Sequence, residues 1–237
     1  LGLNAGHVAG GALLVDYMLT VAVSVSAGAD AITSAFPSLH PYNLELSILF
    51  IIVLMILNLR GLTESATVLA YPVYLFIGAM FLMLIVGLFK VVTGQAHVVH
   101  TPIGTPVAGI SLFLLLKAIA SGRSALTGEE AISNSVPILR RSDPLNATKT
   151  LMLMGLLLAM MFSGIVYLTY AYGLMPQSAN TIVSQLAEAI VGHGVFYYII
   201  QAVTALILVL AANTGFSVFP MLAVSLSKDG YLPRMLQ

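Results

Sequence analysis

The sequence predicts an all-α polytopic membrane fold, and three observations carry that expectation. Of its 237 residues, 59% are hydrophobic and 8% charged, whereas an ordinary soluble domain has ~25% charged residues. The apolar residues gather into six segments, roughly 9–35, 44–59, 66–89, 105–138, 150–175 and 195–225. Such lengths match the ~20 residues a helix needs to cross a ~30 Å hydrocarbon core. Short runs of Pro, Ser, Asn, Gly and His join the segments, as in Pro37-Ser-Leu-His-Pro41 and Thr101-Pro102. They form one transmembrane unit over residues 1–237, with no soluble domain between the spans.

Composition also excludes. Net charge is zero and no basic block exists, which argues against a nucleic-acid partner. Cysteine is absent, so disulfides, thiolate catalysis and cysteine-type zinc sites fall away. The histidines His7, His40, His97, His100 and His193 are predicted in or near connecting loops. His97-Val-Val-His100 has a ligand-like spacing but no acidic or cysteine partner nearby, and reads as a solvated pair. Walker loops, nucleophile elbows and dinucleotide fingerprints are missing. No enzyme and no cofactor are expected.

In the first segment Asp16, Thr20 and Ser24 recur at i, i+4 and i+8, which stacks them on one helix face in successive turns. Leu13-Leu-Val15 and Val21-Ala-Val23 surround them, so they form a polar stripe in an apolar helix. A carboxylate with two hydroxyl oxygens suits a desolvated alkali cation, because hard cations take oxygen ligands. The two hydroxyls alone serve equally well as interhelical glue, worth about 0.6 kcal/mol on average. Asp16 favours the cation. Asp30 and Glu45, at the outer end of the first segment and the start of the second, read as solvated ends.

The fourth segment is the odd one. A continuous helix over 105–138 would measure about 50 Å at ~1.5 Å per residue, and overshoots the bilayer core. It carries Ser121-Gly-Arg-Ser-Ala-Leu-Thr-Gly-Glu-Glu130, although a charge at the bilayer centre costs about 2.5–3.5 kcal/mol. A break near Ser121–Gly128 is therefore expected, its freed backbone lining a cavity as the broken helices of secondary transporters do. The structural alternative is a tilted, kinked helix with packing glycines; the charges favour the cavity.

Thr127 and Glu130 share a face if helix resumes at Thr127. Glu129 and Glu130 diverge, and carboxylates so close raise one another's pKa, which makes one of them a proton acceptor. A static pair between Arg123 and one glutamate is the alternative. In the fifth segment Tyr167, Tyr170 and Tyr172 fit an interfacial aromatic belt. In the sixth, Asn213, Thr214 and Ser217 read as packing groups rather than a second site.

Positive charge orients the spans. Connections after even crossings hold Arg60, then Arg140, Arg141 and Lys149, then Lys228 and Arg234; those after odd crossings hold Lys90 alone. Short cytoplasmic loops collect Lys and Arg, so the first set and the end near Leu1 are expected inside.

Four motifs carry a resemblance. The run Leu13-Leu-Val-Asp-Tyr-Met-Leu-Thr-Val-Ala-Val-Ser-Val-Ser-Ala-Gly28 resembles the third transmembrane helix of the amino acid–polyamine–organocation (APC) superfamily. Asn58-Leu-Arg-Gly-Leu-Thr-Glu-Ser65 resembles the loop between its helices four and five, and Ser124–Asn134 its broken sixth helix. Ala212–Pro220 with Leu226–Pro233 is similar to the end of its helix eight. The resemblance implies a fragment, helices 3–8, of a five-plus-five inverted-repeat (LeuT-like) transporter. The chain opens on Leu1 and lacks the marks of a signal peptide over Leu1–Gly10, and reads as an internal piece of such a protein.

Within the superfamily the sequence is most similar to KimA-type proton-coupled potassium importers. That resemblance implies potassium held by Asp16, Thr20, Ser24, Thr127 and Glu130, with protons as the coupling ion. Glu129, Arg123 and Tyr17 are expected beside the site or on the proton path. Glu129 departs from the family pattern, which has an apolar residue there. Some proton-coupled amino acid carriers of the superfamily place a lysine in helix five, whereas Ala66–Phe89 has no charge. Expected partners are potassium, protons, the bilayer of a bacterial plasma membrane, and a second copy in a homodimer. The alternatives are an amino acid or amine permease of the same superfamily, and a membrane scaffold or receptor without flux.

Overall fold

The computed structural model describes residues 3–59, 66–96, 111–123, 144–177, 180–228 and 230. Regular structure among them is helical throughout: α1 (Leu3–Ala35), α2 (Asn43–Leu59), α3 (Ala66–Val92), α4 (Leu112–Arg123), α5 (Pro144–Ala171), α6 (Ile182–Val191) and α7 (Val195–Lys228), with a 3-10 helix over Pro37–Tyr42. Five stretches of the described residues are long and apolar enough to cross a membrane: Gly10–Ala35, Pro37–Leu59, Ala70–Val92, Thr148–Ala171 and Val195–Lys228. Their outer surfaces are apolar. Leu59, Tyr71, Met152 and Tyr170 are between 72% and 86% exposed, and so much apolar surface requires lipid rather than water around it. The chain is a multi-pass membrane protein. Of the segment 105–138, α4 runs unbroken through Ser121 and Gly122 to Arg123; the expected break beyond it lies outside the described residues.

Helices α1 and α7 lie antiparallel along most of their length. Lipid gives apolar helices no reason to associate except close packing, and small residues permit it. At Gly28 an added Cβ would lie 3.4 Å from the Ala205 carbonyl oxygen. At Gly215 it would collide with Val21 Cγ2 and approach the Tyr17 carbonyl oxygen to 3.3 Å. Beside this seam α2 inserts Leu54 between Val25 and Ala212, with Phe50, Val209 and Phe216 around them.

A second core joins α3, α5, α6 and the start of α7 through Met80, Met83, Leu168, Leu186, Ile190 and Tyr197. Gly87 lets α3 close on its neighbours, since a Cβ there would meet Ile190 Cδ1 at 2.6 Å and Leu168 Cδ1 at 2.8 Å. Thus α7 runs through both cores, and α1 reaches the second through Ala35.

Helix α6 falls in the connection between the fifth and sixth predicted segments, and sequence reasoning missed it. The Thr181 side chain accepts from the Ser184 amide at 3.2 Å, an N-cap, and Gly192 ends the helix at φ +67°, a backbone conformation that glycine adopts freely. Leu186, Ala187 and Ile190 are buried between those signals.

Four further expectations are corrected. Tyr172 is fully buried and its hydroxyl donates to the Gly87 carbonyl at 3.4 Å, so only Tyr167 and Tyr170 stand in an exposed belt. Asp30 is half-buried and accepts from Asn43 Nδ2 at 2.6 Å, which ties α1 to α2 across the 3-10 helix rather than leaving a solvated end. Lys90 belongs to α3, and its ammonium donates to the Ile190 carbonyl, at the negative end of the α6 dipole. His7 lies inside α1 rather than in a loop.

Candidate functional site

Adjacent residues on an α-helix lie ~100° apart, because 3.6 residues complete a turn. The seam against α7 uses Tyr17 (7% exposed), Val21, Val25 and Gly28. The stripe Asp16, Thr20 and Ser24 is one residue behind that seam at every rung. It therefore runs parallel to the packed face, on the adjoining side of α1. Asp16 is exposed, and Thr20 and Ser24 are half-buried.

Four residues advance the helix by about 6 Å and eight by about 12 Å. One dehydrated cation can thus touch two neighbouring rungs together, but not all three. The stripe is a ladder of side-chain oxygens. Tyr17, one position on from Asp16, points into the seam and walls a cavity of about 270 Å³ with Met18, Val21, Gly215 and Phe219.

Thr127, Glu129 and Glu130 lie outside the described residues, as does the side chain of Arg123, whose backbone ends α4. Of the expected site, the described residues therefore hold Asp16, Tyr17, Thr20 and Ser24, all on α1. Among the described residues no cluster of three His, Cys, Asp or Glu side chains could hold a metal ion. Lys117 is an exposed charge midway along α4 that sequence reasoning passed over; a lone lysine among Leu112–Leu116 and Ile119 was its signal.

Of the polar groups on α7, Asn213 is 7% exposed and its Oδ1 accepts from Asn58 Nδ2 at 2.6 Å. Asn58 also donates to the Leu54 carbonyl at 2.9 Å. This supports the packing reading of Asn213, while Thr214 is exposed and the Ser217 side chain lies outside the described set. Asn58 itself carried a signal, a polar amide closing the apolar run Ile56-Leu57.

At the other end of the seam Ser34 joins three helices. Its hydroxyl accepts from the Thr181 amide at 3.2 Å and its carbonyl from the Tyr197 hydroxyl at 3.0 Å. Tyr197 and Ser184 share a further 2.8 Å hydrogen bond.

A paired long helix, a ladder of oxygens beside the seam, and an apolar exterior fit a transport scaffold. The family model for amino acid permeases matches residues 2–237. The chain belongs to the amino acid permease family. That family is described as one of permeases. The chain is also 61% identical, over 239 aligned residues and 99% of its length, to the potassium transporter KimA of Bacillus subtilis (strain 168). The alignment covers 39% of that relative, so this permease-family chain spans about two fifths of the length of the protein it matches.

Proposed function

We propose that this chain is the central part of a secondary active transporter that takes up potassium with protons by alternating access, in the plasma membrane of a bacterium. The observation that carries the reading is the ladder Asp16–Thr20–Ser24, open on α1 beside the α1–α7 seam. Two neighbouring rungs at a time replace part of the hydration shell of a potassium ion. The named activity of the Bacillus relative supports potassium as the cargo.

Thr127 and Glu130 supply further oxygens to the ion, and a carboxylate of the Glu129–Glu130 pair carries the proton, with Glu129, Arg123 and Tyr17 as further members of the site or the proton path. The loops holding Arg60, Arg140, Arg141, Lys149, Lys228 and Arg234 face the cytoplasm. Two copies associate as a homodimer. No cofactor takes part.

Rubidium uptake into potassium-starved cells expressing the whole protein tests this reading. Saturable uptake that Asp16→Asn and Glu130→Gln together abolish is the expected result. Undiminished uptake by that double variant rejects the site. The family description favours a second reading, an amino acid permease. It predicts that labelled amino acids, and not rubidium, enter proteoliposomes.

A further inference from the structure

Helix α6 is tied down unevenly. Toward its C-terminal end Leu186, Ala187 and Ile190 are buried in the core shared with α3, α5 and α7, and the Lys90 ammonium donates to the Ile190 carbonyl. At its N-terminal end the ties are polar. The Thr181 amide donates to Ser34 Oγ at 3.2 Å, and Ser184 Oγ lies 2.8 Å from the Tyr197 hydroxyl. A third bond settles the direction of the second. The Tyr197 hydroxyl gives its one hydrogen to the Ser34 carbonyl at 3.0 Å, so Ser184 is the donor and the Tyr197 oxygen the acceptor.

One turn further along α7, Gln201 shares the face of Tyr197, since residues four apart are neighbours on a helix. Both are 1% exposed. Neither Nε2 nor Oε1 of Gln201 has a hydrogen-bond partner among the described residues, and both atoms are sealed from solvent. An amide buried in this way gives up its hydration without return, and a buried group left unpaired in a native fold calls for an explanation. Nothing outside the fold reaches these atoms, so a partner has to come from within it.

The Tyr197 oxygen is such a partner. It lies close enough to feel the Gln201 amide, although no hydrogen bond joins them. A phenolic oxygen whose hydrogen is given away accepts one bond well, and Ser184 already supplies it. Ser184 and Gln201 therefore compete for the same acceptor. Ser184 holds it while the first turn of α6 is down. If that turn lifts, Ser184 meets water and Gln201 Nε2 takes its place.

We propose that the first turn of α6 is a latch, with Ser184 and Gln201 as alternative donors to the Tyr197 hydroxyl oxygen. The bond that Ser184 gives up on opening is replaced by one that Gln201 gains, and the amide left unpaired in the closed position is paired in the open one. This exchange keeps the two positions close in free energy, as a bistable element requires. The rest of α6 stays in place, held by Lys90 and by the buried Leu186 and Ile190. Tyr197 keeps the Ser34 carbonyl in both positions, so α1 and α7 remain joined. The latch does not depend on which cargo the ladder takes.

Hydrogen–deuterium exchange of the whole protein in detergent, read by mass spectrometry, tests the latch. Peptides covering residues 181–187 are compared with peptides from α2. Gln201→Leu and, independently, Gln201→Met remove the alternative donor and leave the Ser184 bond alone. Each should slow exchange over residues 181–187 roughly three- to tenfold, the worth of about one hydrogen bond, with α2 unchanged. Tyr197→Phe should speed exchange there, and adding Gln201→Leu to Tyr197→Phe should change it no further. An amide that merely sits badly in the core predicts something else: its removal slows exchange in α2 as well, and does so with or without the Tyr197 hydroxyl. Uniform slowing, slowing that persists in the Tyr197→Phe background, or exchange over residues 181–187 that is unchanged or faster in both Gln201 variants would each overturn the latch.

Discussion

The amide of Asn58 at the end of α2 donates to Oδ1 of Asn213 in the middle of α7 across 2.6 Å. The two are separated by 155 positions in sequence. Asn213 is buried, so the bond helps fix where α2 sits against the α1–α7 pair.

Replacing both asparagines should therefore cost less than the sum of the two single replacements. Asn213→Leu removes one hydrogen bond of the Asn58 amide, which keeps the Leu54 carbonyl, and a loss of about 0.5–1.5 kcal/mol is expected. In the double variant Asn58→Leu/Asn213→Leu the coupling term should come to about 0.6–1.7 kcal/mol. A double-mutant cycle of thermal unfolding in detergent, followed by circular dichroism at the helical band, measures it.

Gly215 is a test of the seam. Gly215→Ala requires Val21 to change rotamer, whereas Gly215→Leu also drives atoms against the Tyr17 backbone. Overpacking of this kind costs typically about 1–3 kcal/mol, so Gly215→Leu should melt clearly below Gly215→Ala. The counterpart Gly78, which has nothing within 4 Å of an added Cβ, should accept alanine without loss. Equal melting of all three variants would show that the seam is not close-packed.

Tyr197→Phe removes a hydroxyl bonded to both Ser184 and Ser34. Ser184 is 1% exposed, so its own hydroxyl is left buried and short of a partner. The expected loss is about 1–3 kcal/mol, and limited proteolysis should then cut first around α6. Adding Ser184→Ala to the Tyr197→Phe variant removes that stranded hydroxyl and should restore part of the stability.

Along the ladder, position should matter by rung. Thr20 is the only member with a neighbour on both sides, so Thr20→Val removes a ligand from each two-rung site. Thr20→Val should raise the KM for rubidium more than Ser24→Ala does, with expression unchanged. Equal effects of the two, measured by initial uptake rates in potassium-starved cells, would contradict the ladder.

Much of this was legible before any coordinates. Five long apolar helices follow from runs too hydrophobic for water, and the Asp16–Thr20–Ser24 stripe from a four-residue repeat. Helix α6 was not read, because ten residues with Thr181 and Gly192 at their ends disappear beside segments of twenty or more. Tyr172 misled for a related reason. A tyrosine near a span end has the same sequence signature whether it faces the lipid boundary or, as here, folds back onto Gly87. Thr127, Glu129 and Glu130, outside the described residues, are read from the sequence pattern.

The two close approaches of α1 and α7 have a mechanical meaning. The contact at Gly28 and the contact at Gly215 engage α1 eleven residues apart, at Gly28 and Tyr17, or about 16 Å along its axis. Two bars pinned at one point can scissor; pinned at two points that far apart they cannot. Any rocking of the protein must leave α1 and α7 as one strut and place its pivot elsewhere. The spacing of the oxygen rungs is then a constant of the protein, the same whichever side of the membrane the ion comes from.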